Sequence, residues 1–142
     1  MYEKMIEQAE KEYPQMVEWR RHFHQYPELS FHEEETPKKI ASFLRDLGVE
    51  DVKEAFGGRG VVAKIYGEQP GKTIALRADF DALPIQDTKD VEYKSKIPGV
   101  SHACGHDAHT SILLHTAKIL HQNREHLEGT IVLIHQFAEE QT

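Results

Sequence analysis

Six side chains of the types that bind divalent metals and transfer protons are concentrated at three points of the chain. They are Asp79 and Asp81, then Cys104 and His106, and finally the adjacent pair Glu139 and Glu140. Thiolate, imidazole and carboxylate groups together form a ligand set that zinc and other borderline metals accept. Adjacent carboxylates can divide the work, because one can bind the metal while the other takes a proton from metal-bound water. The residue types therefore indicate metal-assisted hydrolysis, provided that the three points meet in space.

The lengths of the elements between these points predict that they do meet. A helix predicted over residues 107–121 is about 22 Å long. A strand predicted over residues 130–137 spans about 26 Å in the opposite direction. The strand therefore returns the chain to the edge of the sheet from which the helix departs, and the glutamate pair should lie near His106. Binding sites in open α/β sheets form at the carboxyl ends of strands, which is where all three points fall.

The hydrophobic pattern predicts helices before the first strand. Residues 3–25 form one helix, or two that meet near Pro14, and Thr36 caps a further helix that ends at Gly48. In the later helix, over residues 107–121, we expect Ile112 to lie on the inner side with other apolar residues.

The remaining apolar runs predict strands. Residues 61–66 and 73–78 read as two strands paired with each other through a short connection. A loop from Asp79 to Cys104 follows them, and the apolar segment 130–137 should be buried on both faces. Helices followed by strands with a crossover helix predict an α/β fold, a three-layer sandwich with a mixed central sheet.

The composition of the 142-residue chain is that of one soluble globular domain. Its net charge of −7 argues against a nucleic-acid or anionic-membrane partner. The N-terminal segment is charged throughout, and no apolar run approaches the roughly 20 residues needed to span a bilayer. Cys104 is the only cysteine, so no disulfide can form within the chain and a reducing, cytoplasmic location is expected.

Each of the three groups has a structural alternative when it is taken alone. A lone cysteine at a helix start is most often a small buried hydrophobic side chain. Adjacent glutamates are most often solvated, and aspartates after a strand can cap a loop. Three other histidines, His22, His24 and His32, read as structural or surface residues, and His102 reads as a helix-end or surface residue. The conjunction of all three groups at one sheet edge outweighs these alternatives.

The segments that hold these groups resemble a known enzyme family. The strings RADFDALP and HACGHDAH are especially specific in combination. The matching segments are Trp19–His24, Pro27–Ser30, Ala75–Pro84, His102–His109 and Gly129–Glu140. In them the chain resembles the N-terminal part of the N-acyl-amino-acid amidohydrolases. These include aminoacylases, hippurate hydrolases and indole-acetyl-amino-acid hydrolases, within the wider group of di-metal carboxypeptidases.

The resemblance implies a role for each site residue. It makes Cys104, His106 and Glu140 ligands in a site for two divalent metal ions, which would be zinc, manganese, cobalt or nickel. It makes Glu139 the catalytic base and Asp81 a carboxylate that orients a ligating histidine. The substrate would be a small N-acyl amino acid, and the full-length form would be a possible homo-oligomer.

The resemblance also implies that much of the enzyme lies outside residues 1–142. Members of this family are more than twice as long, and they supply two further histidine ligands and a lid-like dimerisation domain downstream. They usually have proline where Phe137 stands. We therefore expect the N-terminal portion of an incomplete catalytic domain, inactive by itself. The alternatives are a non-catalytic folded fragment with a partial metal site, and a thiol-redox protein, which lacks a second cysteine.

Overall fold

Four strands form a single mixed sheet in the computed structural model, which describes residues 1–141. The strands are β1 (Asp51–Phe56), β2 (Gly60–Tyr66), β3 (Gln69–Asp79) and β4 (Glu128–Gln136). Their order across the sheet is β1-β2-β4-β3. β4 runs antiparallel to β2 and parallel to β3, so the carboxyl ends of β3 and β4 lie at the same edge.

Three helices accompany the sheet. They are α1 (Tyr2–Gln25), α2 (Glu35–Asp46) and α3 (His106–Gln122), and α1 continues through Pro14 as one helix. Short 3-10 turns cover Arg124–His126 and Glu139–Gln141. No helix within residues 1–141 is long and apolar enough to cross a membrane.

The start of α2 differs from the predicted Thr36 cap. The helix begins at Glu35, and the backbone N–H groups of Glu34, Glu35 and Thr36 donate to the Glu28 carboxylate at 2.9, 3.1 and 2.5 Å. A carboxylate at this point satisfies donors that a helix start leaves without partners. The cap is therefore supplied from six residues upstream of Glu34 rather than by the local Thr-Pro pair.

The predicted pairing of residues 61–66 with residues 73–78 is wrong, because β4 lies between these two strands. The connection from β2 to β3 passes across the start of β4, where backbones approach closely. A Cβ atom at Gly67, in this connection, would clash with the backbone of Leu127 just before β4, so the crossing requires glycine. β4 carries the strongest apolar run, and the central position buries it better than an edge would.

β1 was not predicted from the sequence. Most of its side chains are exposed, and the strand lies at an edge of the sheet. Its residues therefore show none of the regular apolar alternation that marks a half-buried strand.

One face of the sheet packs against the helices. On β2, Val61, Ala63 and Ile65 are buried and alternate with half-buried residues, and they join a core with Leu114 of α3 and Leu133 of β4. The opposite face stays partly exposed. β4 is therefore only partly buried on that side, contrary to expectation. The α/β class and the mixed sheet are confirmed, and two of the three expected layers lie within residues 1–141.

Two further details concern the elements nearest the sheet edge. Ile112 is 52% exposed on the outer side of α3, contrary to expectation. The long loop before α3 was expected, and it contains only isolated bridges, Leu29 with Ala82 and Leu83 with Ser101.

Candidate metal centre

His106 is the first residue of α3, and its imidazole is almost completely buried. Its Nδ1 lies 2.9 Å from Asp81 Oδ1. Its Nε2 faces three other carboxylates, with Asp79 Oδ1 and Glu139 Oε2 at 3.6 Å and Glu140 Oε1 at 3.4 Å. One ring nitrogen is thus held by a single partner, while the other points into a concentration of negative charge.

Asp81 is the buried carboxylate that orients this imidazole. The Ser30 hydroxyl donates to Asp81 Oδ2 at 2.7 Å, and the Glu140 backbone N–H donates to the same oxygen at 2.9 Å. Burial opposes the ionisation of Asp81, but the hydrogen bonds from His106, Glu140 and Ser30 outweigh it and hold its pKa well below the usual range. An ionised Asp81 can only accept, so His106 Nδ1 carries the proton and the lone pair on Nε2 is available to a ligand.

The charges around His106 favour a cation. Burial opposes protonation of His106, but the hydrogen bond with Asp81 and the negative charge of Asp79 and Glu140 outweigh it and raise its pKa. A proton on Nε2 would therefore be stabilised by the surrounding carboxylates. A divalent ion would displace that proton and supply more positive charge at the same place.

Cys104 lies beside this imidazole and is exposed, so it is not the buried hydrophobic side chain of the structural alternative. Its potential ligand atom and those of His106 and Glu140 all lie within 4.8 Å of one another. The neighbouring Glu140 carboxylate and burial raise the pKa of the Cys104 thiol. A bound cation would reverse this effect, because a coordinating thiol loses its proton.

A second group of three potential ligands shares His106. Asp79, His106 and His109 also place one ligand atom each within 4.8 Å of the others. His109 Nδ1 lies 2.7 Å from Asp79 Oδ1, and the His109 ring is half exposed. A single Nε2 atom can serve one metal at a time, so the two groups are alternatives for His106.

The structure brings all six predicted residues together at the carboxyl edge of β3 and β4. The departure along α3 and the return along β4 do cancel, as the lengths predicted. Glu139 and Glu140 lie in the 3-10 turn Glu139–Gln141 that follows β4. Ala138, with a positive φ of 51°, reverses the chain just before them. Both carboxylates approach the same ring nitrogen of His106, Nε2.

Sequence reasoning placed His102 on the surface or at a helix end, and this is wrong. His102 is 6% exposed, and neither ring nitrogen has a hydrogen-bond partner within residues 1–141. Burial lowers its pKa to about 4. No local pattern marks it, because its burial depends on the long loop folding back over the start of α3.

A second buried cluster lies next to the candidate centre, around Asp107. Its Oδ2 lies 2.7 Å from His24 Nδ1 and 2.9 Å from Arg20 Nε. His24 Nε2 in turn lies 3.4 Å from Asp87 Oδ2 in the long loop. The structural role expected for His24 fits this arrangement, in which α1, the long loop and α3 are joined through one imidazole.

Comparisons with known proteins agree with the resemblance seen in the sequence. Residues 75–142 match the family described as Peptidase family M20/M25/M40. The chain is 65% identical over 128 residues to a Bacillus subtilis protein named amidohydrolase YhaA. This match covers 90% of the chain and 32% of that protein. It is 47% identical over 125 residues to the N-acyl-L-amino acid amidohydrolase of Geobacillus stearothermophilus, covering 88% of the chain and 34% of that enzyme.

A solved structure supports the same conclusion. The YXEP protein of Bacillus subtilis, described as a dinuclear metal-binding peptidase of the M20 family, superposes with a TM-score of 0.86 at 45% identity. The match covers 89% of this chain and 36% of that one. The resemblance to the N-terminal part of these hydrolases is confirmed, and the chain spans about a third of the length of the relatives it matches.

Proposed function

We propose that this chain provides the first half of the active site of a metal-dependent amidohydrolase that cleaves N-acyl amino acids. The observation that carries the proposal is His106 Nε2, held by Asp81 on its other nitrogen and surrounded by Cys104 and the glutamate pair. Residues 1–142 would be the N-terminal portion of the catalytic domain. Further ligands and a lid would come from the part of such enzymes that this chain does not span.

The donor set fits a divalent metal. Cys104, His106 and Glu140 would hold it, because sulfur, nitrogen and oxygen donors within 4.8 Å of one another suit zinc, cobalt or a related ion. Glu140 Oε1 is buried and accepts no hydrogen bond within residues 1–141, which is costly unless a cation balances it. Since Cys104 is the only cysteine, a cytoplasmic setting would keep its thiol available as a ligand.

A bound metal would lower the pKa of a water molecule and polarise the amide carbonyl. Glu139 would accept the proton of that water and deliver it to the departing amine. Its carboxylate lies 3.6 Å from His106 Nε2, and its side chain is 39% exposed and therefore accessible to substrate. Asp81 would keep the imidazole in the tautomer that presents Nε2. Each residue then has one task, since Glu140 binds and Glu139 transfers the proton.

A chimera provides the test. Residues 1–142 would replace the matching segment of the Geobacillus N-acyl-L-amino acid amidohydrolase, and hydrolysis of N-acetyl amino acids would be measured together with metal content. We expect activity in the chimera. Glu139→Gln should retain metal but lose at least about 10²-fold in rate, because glutamine cannot accept the proton. Glu140→Gln should lose metal, because it removes an anionic ligand.

The outcomes of this experiment separate the possible errors. If Glu140→Gln retained metal and Glu139→Gln lost it, Glu139 would be the metal ligand and Glu140 the proton acceptor. A folded chimera in which neither change affects metal content or rate would overturn the proposed site.

The second candidate is a folded, metal-binding fragment without catalysis. It is favoured by the 32–34% of the relatives' length that the chain covers. A partly enclosed ion keeps more of its water and is bound more weakly. An active chimera together with an inactive isolated chain would support this reading for the chain alone.

A further inference from the structure

The peptide that precedes the glutamate pair has an unusual backbone conformation. Ala138 has a φ of 51°, in the left-handed region that residues with a Cβ atom rarely adopt, and it is almost completely buried. This residue turns the chain from β4 into the 3-10 turn Glu139–Gln141. Something outside β4 must hold that conformation, because the intrinsic preference of alanine opposes it.

Glu33 is the residue in contact with this peptide. Its side chain is completely buried, and the Ala138 backbone N–H donates to Glu33 Oε1 at 2.8 Å. The other oxygen, Oε2, has no hydrogen-bond partner within residues 1–141. A buried carboxyl oxygen without a hydrogen-bond partner is costly. Glu33 does not contribute to the cap of α2, because Glu28 already accepts the N–H groups there.

The backbone of Glu33 is itself fixed. Arg59, in the turn between β1 and β2, donates from Nη1 to the Glu33 carbonyl at 2.6 Å. Two residues earlier, the Phe31 ring meets Phe137 edge to face at 6.0 Å, directly before Ala138. The carboxyl thus extends from an anchored turn to the end of β4.

The same turn also supports the other side of the centre. Ser30 donates to Asp81 Oδ2, and this oxygen also accepts the Glu140 backbone N–H. Residues 29–33, which we call the support turn, therefore hold the glutamate pair at two places. Glu33 holds the peptide before the pair, and Ser30 acts through Asp81 on the peptide within it.

We propose that Glu33 is a positioning residue, which fixes the Ala138 turn so that the carboxylates of Glu139 and Glu140 face His106 Nε2. This inference rests on the proposed metal-binding function of the same centre. It predicts that what matters at position 33 is a hydrogen-bond acceptor within reach of the Ala138 N–H. If Glu33 only filled space in the core, the volume of its side chain would matter and its hydrogen-bond acceptor would not.

Three variants of the chain separate these possibilities. Glu33→Leu removes the acceptor and keeps similar bulk, whereas Glu33→Gln keeps an oxygen in the same position. Glu34→Leu makes the same chemical change at the exposed neighbouring residue and serves as the matched control. Each variant would be checked for folding by circular dichroism. Amide hydrogen exchange at residues 138–140 would be measured without metal, and Co²⁺ affinity by titration.

In Glu33→Leu we expect amide exchange at residues 138–140 to accelerate by about tenfold or more, while Leu114 in α3 stays protected. Its Co²⁺ affinity should fall by about 10- to 100-fold, as for other residues that orient metal ligands. Glu33→Gln and Glu34→Leu should stay within about threefold of the unaltered chain in both measurements. Rescue by glutamine identifies the acceptor as the required feature.

Two results would overturn the proposal. In the first, Glu33→Leu is folded and matches the unaltered chain in exchange and affinity. In the second, Glu33→Gln is as impaired as Glu33→Leu, which assigns Glu33 to packing or charge. If the unaltered chain binds no Co²⁺, the metal-binding function fails for this chain, but the exchange comparison still decides whether Glu33 fixes the turn.

Discussion

Two buried histidines, His24 near the end of α1 and His106 at the start of α3, differ in what faces their second nitrogen. His24 and His106 are each 2% exposed, and each places Nδ1 against an aspartate, Asp107 at 2.7 Å and Asp81 at 2.9 Å. Around His24, Arg20 supplies a permanent positive charge at 2.9 Å from Asp107. The His24 cluster therefore contains its own cation.

Within residues 1–141, the arginine beside the His106 cluster lies farther from its carboxylate than Arg20 does. His106 Nε2 faces three carboxylates, and within residues 1–141 the nearby guanidinium of Arg77 reaches only Asp79, at 3.6 Å. The same histidine–aspartate pair can therefore serve two purposes. With a neighbouring arginine it joins elements of the fold, and with surplus carboxylates it would suit the metal ion of the proposed function.

The largest expected effect is on stability, when the balanced cluster is broken. Asp107→Ala should lower the free energy of unfolding of the metal-free chain by about 3–5 kcal/mol, because it leaves His24 and part of Arg20 without their buried partner. Asp81→Ala should cost less, about 1–2 kcal/mol, since the lost hydrogen bonds are offset by reduced repulsion among the remaining carboxylates. Urea denaturation at neutral pH measures both. Equal losses would show that the two clusters do not differ in charge balance.

A smaller effect concerns His102, which lies between the two clusters with neither ring nitrogen hydrogen-bonded within the described residues. Burial lowers its pKa to about 4, whereas an unfolded histidine titrates near pH 6.5. Between pH 4 and 6.5 the unfolded chain binds a proton at this histidine that the folded chain does not bind. The contribution of neutral His102 to the free energy of unfolding is therefore complete above about pH 6.5 and declines as the pH falls toward 4. The loss should be on the order of 3 kcal/mol.

Denaturation curves at several pH values test this expectation. His102→Leu should remove part of the decline between pH 6.5 and 4, because burial also lowers the pKa of His135, to about 3, and this residue contributes a similar loss. His32→Leu, at an exposed histidine, should retain the whole decline. A decline of the same size in His102→Leu would assign the acid sensitivity to other groups.

The sequence predicted the candidate centre better than the sheet. α3 and β4 were recognisable from periodicity, and their lengths alone brought Glu139 and Glu140 to His106. The order of the strands could not be predicted from the sequence, because the insertion of β4 between β2 and β3 depends on which strand gains most from having a neighbouring strand at each edge. That comparison needs the folded sheet, whereas the β2–β3 spacing suggested a simple hairpin.

The supporting residues were not accessible for a related reason. Glu33 is the first of three consecutive glutamates, and such a run reads as solvated surface. It becomes fully buried only because the support turn passes under the end of β4. His102 likewise looks like any polar residue before a helix. Residue type predicts chemistry, but burial of a polar residue is decided by distant segments.

The smallest expected effect distinguishes the two groups of potential ligands that share His106. If the metal lies with Cys104 and Glu140, then His109→Ala should change Co²⁺ affinity by less than about threefold, because His109 would only hydrogen-bond to Asp79. Cys104→Ser should weaken binding far more and abolish the thiolate-to-cobalt charge-transfer absorption in the near ultraviolet, because the thiolate is the only sulfur ligand in this group. Titration followed by absorbance measures both quantities in one experiment. The opposite pattern, in which His109→Ala releases the metal and Cys104→Ser does not, would move the first metal to the Asp79 side of His106. His106 would still be a ligand in that case. The contrast with His24 would also hold, because His106 Nε2 would still face several carboxylates.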